Sequence, residues 1–336
     1  MGNSAIVLKG ASPIRTEMHN DRYLTNYSVG YMQGEERFVS NAASSQISVN
    51  KQTDKILTVD RGDMWRDQVE KRPLGGKPPM ADFGTSSDSY IAEEYGLEGS
   101  IDARQRANAD DPLNLEEEIT RLLSQQHMIK RDRIWCTSFF AASVWTKQMA
   151  GVSSSPSTNQ FVQFDQIDSD PLGVIDEMID YVDELTGMRP NTIVCSADVR
   201  RVLRRHPQIQ AVLPNNEQKQ VSNARLAQLF EVDNFRVPRS IYNSAAEGAA
   251  NSFSYIAGTK RMWLGYIEPN PTVRSPTAIA TFNWTGLMPG ATNSMGGTML
   301  RDYDKRAHSD IFQMGMAWAQ KQVVDDLGVY FTTVIA

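Results

Sequence analysis

With 336 residues the chain can fill one large core or two to three smaller ones. A formal net charge of −6 and a pI near 5.4 argue against a tight nucleic-acid binder, which needs a basic footprint, although an acidic wall can still face nucleic acid. The 40% hydrophobic fraction and mean hydropathy of −0.42 are polar for a globular chain and suit an extended protein whose surface is covered by partners.

Residues 1–44 show neither helical nor strand period. They read as a free tail or, given Ile14, Tyr23, Tyr27, Tyr31, Met32 and Phe38, as an arm laid across a neighbour. At Gln46 the pattern changes to that of a strand: Ile47 and Val49 alternate with Ser48 and Asn50, Thr53–Lys55 punctuates, and Ile56-Leu-Thr-Val59 resumes the strand pattern. Asp60–Asp63 makes a turn, Met64–Lys71 can form a short helix before Pro73, and the Gly75–Pro79 breaker cluster leads to a return strand at Tyr90–Leu97.

The predicted result is a two-stranded excursion with a charge-dense tip. Lys51, Lys55, Arg61, Arg66, Lys71, Arg72 and Lys77 alternate with Asp54, Asp60, Asp63, Asp67 and Glu70. Mixed charge is usually a solvated face, but an isolated hairpin is marginal in water and Trp65 gains nothing from standing alone. The excursion is therefore expected to lie over another subunit.

A polar hinge at Ile101–Asp110 leads to one long helix, from about residue 113 to 144–147. Asp111 or Asn114 can cap it, and Glu116–Glu118 suit the positive end of its dipole. Leu115, Ile119, Leu122, Leu123, Ile129, Cys136, Phe140 and Val144 form its apolar stripe, interrupted by Gln125 and Gln126. About 30 residues would make a rod of roughly 45 Å.

A second helix is capped by Ser169 or Asp170 with Pro171 in its first turn. It carries Leu172, Ile175, Met178, Ile179, Val182 and Leu185 on one face and stops at Gly187. Thr192–Cys195 is a short apolar strand and Ser196 caps the next helix, so this region reads as an α/β unit. Further strands are predicted at Phe235–Val237, Ile241, Tyr255–Ala257, Met262–Tyr266, Ala278–Trp284, Thr298–Tyr303, Asp310–Ala319 and Val329–Ile335, with a helix at Ala224–Phe230.

No catalytic, cofactor-binding or metal site is legible. His19, His127, His206 and His308 have no ligand-like neighbours, and His127 reads as a surface residue of the long helix. Cys136 and Cys195 read as buried thiols of a reducing compartment, and no apolar run reaches membrane-spanning length. No isopeptide acceptor or catalytic acid can be placed for Lys71 or Lys77. Arg200, Arg201, Arg204, Arg205 and His206 form the densest basic run. A phosphate contact is one reading, and the favoured one is a solvated or inter-subunit face near a helix C-terminus, to which Asp176, Glu177, Asp180, Asp183 and Glu184 of a neighbouring copy could supply matching charge.

Tyr90-Ile-Ala-Glu-Glu-Tyr, Arg106-Ala-Asn-Ala-Asp with Pro112-Leu-Asn-Leu, Asn191-Thr-Ile-Val-Cys-Ser and Asp326-Leu-Gly-Val-Tyr carry a resemblance in wording as well as in order. The chain resembles the major capsid proteins of tailed double-stranded DNA phages, with the Hong Kong 97-type fold. The resemblance implies an α+β chain with an N-terminal arm (1–44), an extended loop (45–100) and a spine helix with the first part of a peripheral domain (101–169). A mixed α/β axial domain (170–294) and a peripheral C-terminal β segment (295–336) complete it.

It also implies a non-enzymatic subunit that self-assembles into hexamers and pentamers of an icosahedral shell around phage DNA, made in the host cytoplasm and residing in the virion. Arg61, Trp65, Arg66, Asp67, Lys71, Arg72, Lys77, Arg200, Arg201, Arg204 and Arg205 are the expected inter-subunit contacts. Met1 and the lack of a long coiled-coil extension favour a separate scaffolding protein; a portal and possibly a decoration protein are further expected partners, with no membrane and no cofactor. The alternatives are an encapsulin-type compartment shell and an α/β enzyme with an unrecognised site.

Overall fold

A computed structural model describes residues 33–336 apart from 60–61, 63–64, 70, 73, 78–79, 81–83, 109–114, 214–220, 273–274 and 288–296. The arm up to residue 32, Arg61 and the cap candidates Asp111 and Asn114 lie outside the described residues.

In chain order come β1 (Ser45–Val49), β2 (Thr53–Val59), β3 (Thr85–Ile91), β4 (Glu93–Asp102), α1 (Ala103–Asn108) and α2 (Leu115–Ser138). Next are β5 (Lys147–Val152), β6 (Gln160–Val162), α3 (Pro171–Thr186), β7 (Thr192–Cys195), α4 (Ala197–Leu203), α5 (Pro207–Val212) and α6 (Asn223–Leu229). The chain continues with β8 (Asn234–Arg236), β9 (Ile241–Asn243), β10 (Phe253–Tyr255), β11 (Met262–Gly265), β12 (Ile279–Trp284), β13 (Gly297–Asp304), β14 (Ser309–Gln322) and β15 (Gly328–Thr332).

Among the described residues the larger sheets have six and five strands. The first runs β6-β5-β15-β11-β7-β8, and the second runs β1-β12-β14-β13 with β4 paired to β14. β14 is long enough to serve β4 along Ser309–Trp318 on one edge, and β13 and then β12 on the other. β2 and β3 pair antiparallel, Thr53 opposite Ile91 and Val59 opposite Thr85, and stand apart as the expected excursion. The small β9–β10 hairpin completes the pairing.

Sheet membership cuts across the consecutive blocks expected from sequence. β5 and β6, from 101–169, and β15, from 295–336, join β7, β8 and β11 of 170–294, whereas β12 and β1 join β4, β13 and β14. β15 sits inside the six-stranded sheet between β5 and β11, and its Gly328–Phe331 is buried throughout, as suits a central strand covered on both faces.

The long helix α2 has 24 residues and ends at Ser138, giving a rod of about 36 Å instead of one reaching residue 144–147. The chain turns there because Phe139, Phe140 and Trp145 gain more by entering the core than by continuing a helix. The Trp145 indole N–H donates to the Phe139 carbonyl at 2.8 Å, and its ring lies 5.5 Å from Trp263. Ser143 takes φ 69° in this turn. The short helix expected at Met64–Lys71 does not form: Trp65–Val69 and Lys71 are non-helical, as an isolated turn of helix costs its nucleation without tertiary packing to offset it.

α3 follows its sequence signals closely. The Asp170 carboxylate accepts from the Gly173 N–H at 2.9 Å, Pro171 opens the helix, and Gly187 closes it at φ 67°. Its apolar side (Ile175, Met178, Ile179, Val182) joins the main core with Trp135, Trp263, Val329 and Phe331.

His127 and Arg131 correct a reading. They lie in register with Leu123 on the buried side of α2, with Asp132, Trp135 and Cys136 beside them, so His127 is not a surface residue. Its Nε2–H donates to the Met314 carbonyl at 3.0 Å, and His206 pairs with the Ser169 hydroxyl at 2.9 Å. Burial holds both imidazoles below their ordinary value of 6.5. The unfolded chain therefore binds more protons once pH falls toward 6.5, and stability present above that value is lost below it. The melting temperature is expected to fall between pH 7.5 and 5.5, and the H127Q/H206Q variant to lose most of that dependence in scanning calorimetry.

Candidate interaction surfaces

The excursion is anchored at its base and bare toward its tip. Tyr90 stacks on Phe282 with ring centroids 4.3 Å apart and planes 5° apart, and Ile56 is buried beside them. Lys321 pairs with Asp88 and donates to the Ser89 carbonyl, a contact that holds the Asp88 carboxyl below its usual range. Beyond that clamp, Trp65, Val69, Leu74 and Met80 are exposed by 65%, 89%, 108% and 96%. Four large apolar side chains on one thin excursion leave a surface that water covers at a cost.

The predicted contact residues here fare differently. Trp65 lies against the end of α3, where a Cβ added to Gly187 would stand 2.7 Å from its ring, and still presents most of its surface. Asp67 accepts from the Val69 N–H at 3.2 Å and Arg72 donates to the Gly76 carbonyl at 2.6 Å, both local turns. Arg66, Lys71 and Lys77 are exposed.

The predicted basic run forms a real concavity. Arg200, Arg201, Arg204 and Arg205 at the C-terminal end of α4 meet Ala197, Asp198, Arg239, Tyr255, Gly258 and Thr259 around a cavity of about 460 Å³. Arg200 is half-buried and fixed, its Nε donating to the Asn223 side-chain carbonyl at 3.0 Å. Burial, with Arg239 and Arg204 close by, depresses its pKa. Asp198 in the same lining offsets one of the five arginine charges and leaves the cluster net positive. One of its oxygens accepts from the Lys260 N–H at 2.7 Å, and the other has no hydrogen-bond partner among the described residues. Arg239 was missed in the sequence: it follows Pro238, far along the chain, and no local pattern marks it.

α3 carries the opposite charge. Asp176, Glu177, Asp180, Asp183 and Glu184 are all exposed. Partial burial, Glu231 and Asp180 raise the Asp176 carboxyl, although Arg189 opposes this. Arg189 itself pairs with Glu231 at 2.6 Å.

Little here resembles a reaction centre. Burial raises the thiol pKa of both Cys136 and Cys195, which keeps them protonated and poor nucleophiles. Among the described residues no group of three or more His, Cys, Asp or Glu is placed to hold a metal ion, and no helix is long and apolar enough to cross a membrane.

Comparison with known proteins assigns the architecture. Residues 158–290 match the family described as phage major capsid protein E. A curated relative, the major capsid protein of Burkholderia phage BcepMu, is 25% identical over 222 residues, spanning 66% of this chain and 69% of that protein. A phage-related protein of Bordetella bronchiseptica superposes with a TM-score of 0.67 at 18% identity, over 94% of this chain and 97% of that one. The capsid of cyanophage P-SCSP1u follows at 0.55, with 7% identity and 89% of each chain covered.

The chain has the Hong Kong 97-type capsid fold. The SrpI encapsulin of Synechococcus elongatus shares this capsid fold, with a TM-score of 0.50 at 7% identity over 93% of this chain and 95% of that one. Both the arginine cavity and the acidic face of α3 fall inside the matched capsid protein E segment.

Proposed function

We propose that this chain is the major capsid protein of a tailed phage, a structural subunit that closes into an icosahedral head through hexamers and pentamers. The observation that carries this reading is the excursion at β2–β3. Its base is clamped by Tyr90, Phe282 and Lys321, and its outer part offers bare apolar groups that only another molecule can cover. Such contacts are weak singly and strong when repeated around a closed shell.

In this reading residues 45–100 form the extended loop, α2 is the spine, and 170–294 supplies most of an axial domain around the capsomer axes. Trp65, Arg66, Lys71, Arg72 and Lys77 of the loop face an adjacent subunit. A separate scaffolding protein and a portal complete the head. Double-stranded DNA lies against an acidic inner wall without specific contacts, and the subunit resides in the virion after assembly in the host cytoplasm.

The encapsulin reading has the shared fold in its favour, and the capsid protein E match weighs against it. Negative-stain microscopy of the purified protein is expected to show capsomers or closed shells. Contents of shells assembled during infection then separate the two, DNA for a head and protein cargo for a compartment. A compact monomer at micromolar concentration, with the loop ordered on its own body, would sink both.

A further inference from the structure

We infer that the arginine cavity beside α4 receives the acidic outer face of α3 from a neighbouring copy of this chain, so that each subunit brings one cationic and one anionic side to a ring. This rests on the capsid reading above and names the partner surface of that same site.

The argument begins with unbalanced charge. Arg200, Arg201, Arg204, Arg205 and Arg239 converge on one cavity, and Asp198, the one carboxylate among its described lining residues, offsets a single charge of the five. Like charges so gathered repel one another, and a partner carboxylate relieves the repulsion. The acidic face of α3 has the converse excess: its five carboxylates are exposed, and the nearby Arg189 is paired with Glu231. A chain with a net charge of −6 that concentrates arginines in one hollow and carboxylates on one helix carries two complementary surfaces.

Size and shape favour a protein partner. About 460 Å³ corresponds to roughly fifteen water volumes, more than a simple anion fills and enough for several carboxylate heads. Only Arg200 is substantially sheltered, and the other arginines and Tyr255 are exposed. An open hollow ringed by five arginines suits an acidic protein face better than a small molecule, whose sites are enclosing and carry few charged groups.

The spacing also matches. Arg200 and Arg204, and Arg201 and Arg205, are one helical turn apart, and the Arg204 N–H still donates to the Arg200 carbonyl at 3.1 Å. Asp176, Asp180 and Glu184 repeat at the same four-residue step along α3. Two different surfaces that meet head to tail generate rings, the geometry a capsomer needs.

The test uses the full chain in three charge-reversed forms. R201E/R205E and D180K/E184K spare Arg200, and lysines near the end of α3 suit its dipole, so both variants should keep the wild-type thermal melt. Each alone is expected to raise the subunit concentration needed for ring formation by about tenfold or more in low salt. The fourfold variant should restore assembly.

Mixing the two single-surface variants should give six-membered rings without five-membered ones, because alternation requires an even count. Wild-type assembly by either variant, or failure of the fourfold variant and the mixture to recover it while folded, would overturn the pairing. So would loss of duplex DNA binding in R201E/R205E with assembly unchanged, which assigns the arginines to nucleic acid. If the wild-type chain forms no rings at all, the capsid reading itself falls.

Discussion

Removal of residues 60–85, with a short Asn-Gly turn in their place, is expected to leave a folded, soluble subunit that makes no stable shells. The folded half of this prediction rests on the base of the excursion. Ile56 and Tyr90 are each 3% exposed, and the Tyr90–Phe282 stack and the Lys321–Asp88 pair lie on residues that survive the deletion. The β2–β3 register loses only its outermost pair, Val59 with Thr85. Among the described residues of the deleted span, Trp65, Val69, Leu74 and Met80 are exposed and none belongs to a buried core cluster.

The assembly half rests on the same exposure. At about 25 cal/mol per Å², covering Trp65, Val69, Leu74 and Met80 with a neighbour supplies several kcal/mol for each loop. A shell repeats that contribution at every subunit, so its loss is multiplied and not averaged away. Size-exclusion chromatography, thermal melts and microscopy of the deletion variant check both halves. Normal particles would show that the loop does not span subunits.

The legible parts of this protein were those whose cause is local. The cap, first-turn proline and terminal glycine of α3 act within a few residues, and the alternation of Ile47 and Val49 in β1 needs no knowledge of the partner strand. The loop-to-spine wording around Tyr90 and Pro112 and the strand at Asn191–Ser196 were specific enough to point to the Hong Kong 97-type fold.

What stayed hidden depends on tertiary partners. Nothing near Phe139 announces that α2 must stop, because the benefit comes from Trp263 and Tyr330, which arrive much later in the chain. Sheet membership was hidden for the same reason: β15 pairs with β5 and β11 across long separations. The arginine run was visible, but its enclosure by Arg239 and Tyr255 was not. One signal was available and went unused. Polar His127 and Arg131 fall in step with Leu123 on the apolar side of α2, a pattern that marks buried polar groups.

Those buried groups yield the second large prediction, in which two adjacent residues of the spine respond with opposite signs. Asp132 is fully buried. One of its oxygens accepts from the Val39 and Ser40 N–H groups at 2.8 and 2.9 Å, and the other accepts from the Ser240 hydroxyl. It thereby ties α2 to the segment entering β1 and to the one entering β9. D132A leaves three donors buried without a partner and opens space beside Trp135, a combined cost of about 3–5 kcal/mol.

Arg131 is almost as deep, but among the described residues no carboxylate pairs with it. Its Nη2 donates to the Gln46 and Asn283 side-chain carbonyls, the latter at 3.1 Å, while Nε and Nη1 lack protein partners. Burial lowers the guanidinium pKa to about 10, and its ring partner is Trp318 at 5.7 Å. The Asn283 amide N–H donates to the Gln46 Oε1 at 3.1 Å, so Gln46 keeps a donor when the arginine goes. Asn283 Oδ1 loses the guanidinium, a cost of about 1–3 kcal/mol that removal of the buried charge and its two unpartnered N–H groups offsets. R131M keeps the unbranched stem and the packing on Trp318 while removing the desolvated charge. It should lie between neutral and about 2 kcal/mol more stable than wild type. Urea denaturation of unassembled subunits measures both variants. A loss of more than about 2 kcal/mol for R131M would mean that the charge is balanced after all, by water or an anion in the small cavity bounded by Ser40, Asn41 and His127.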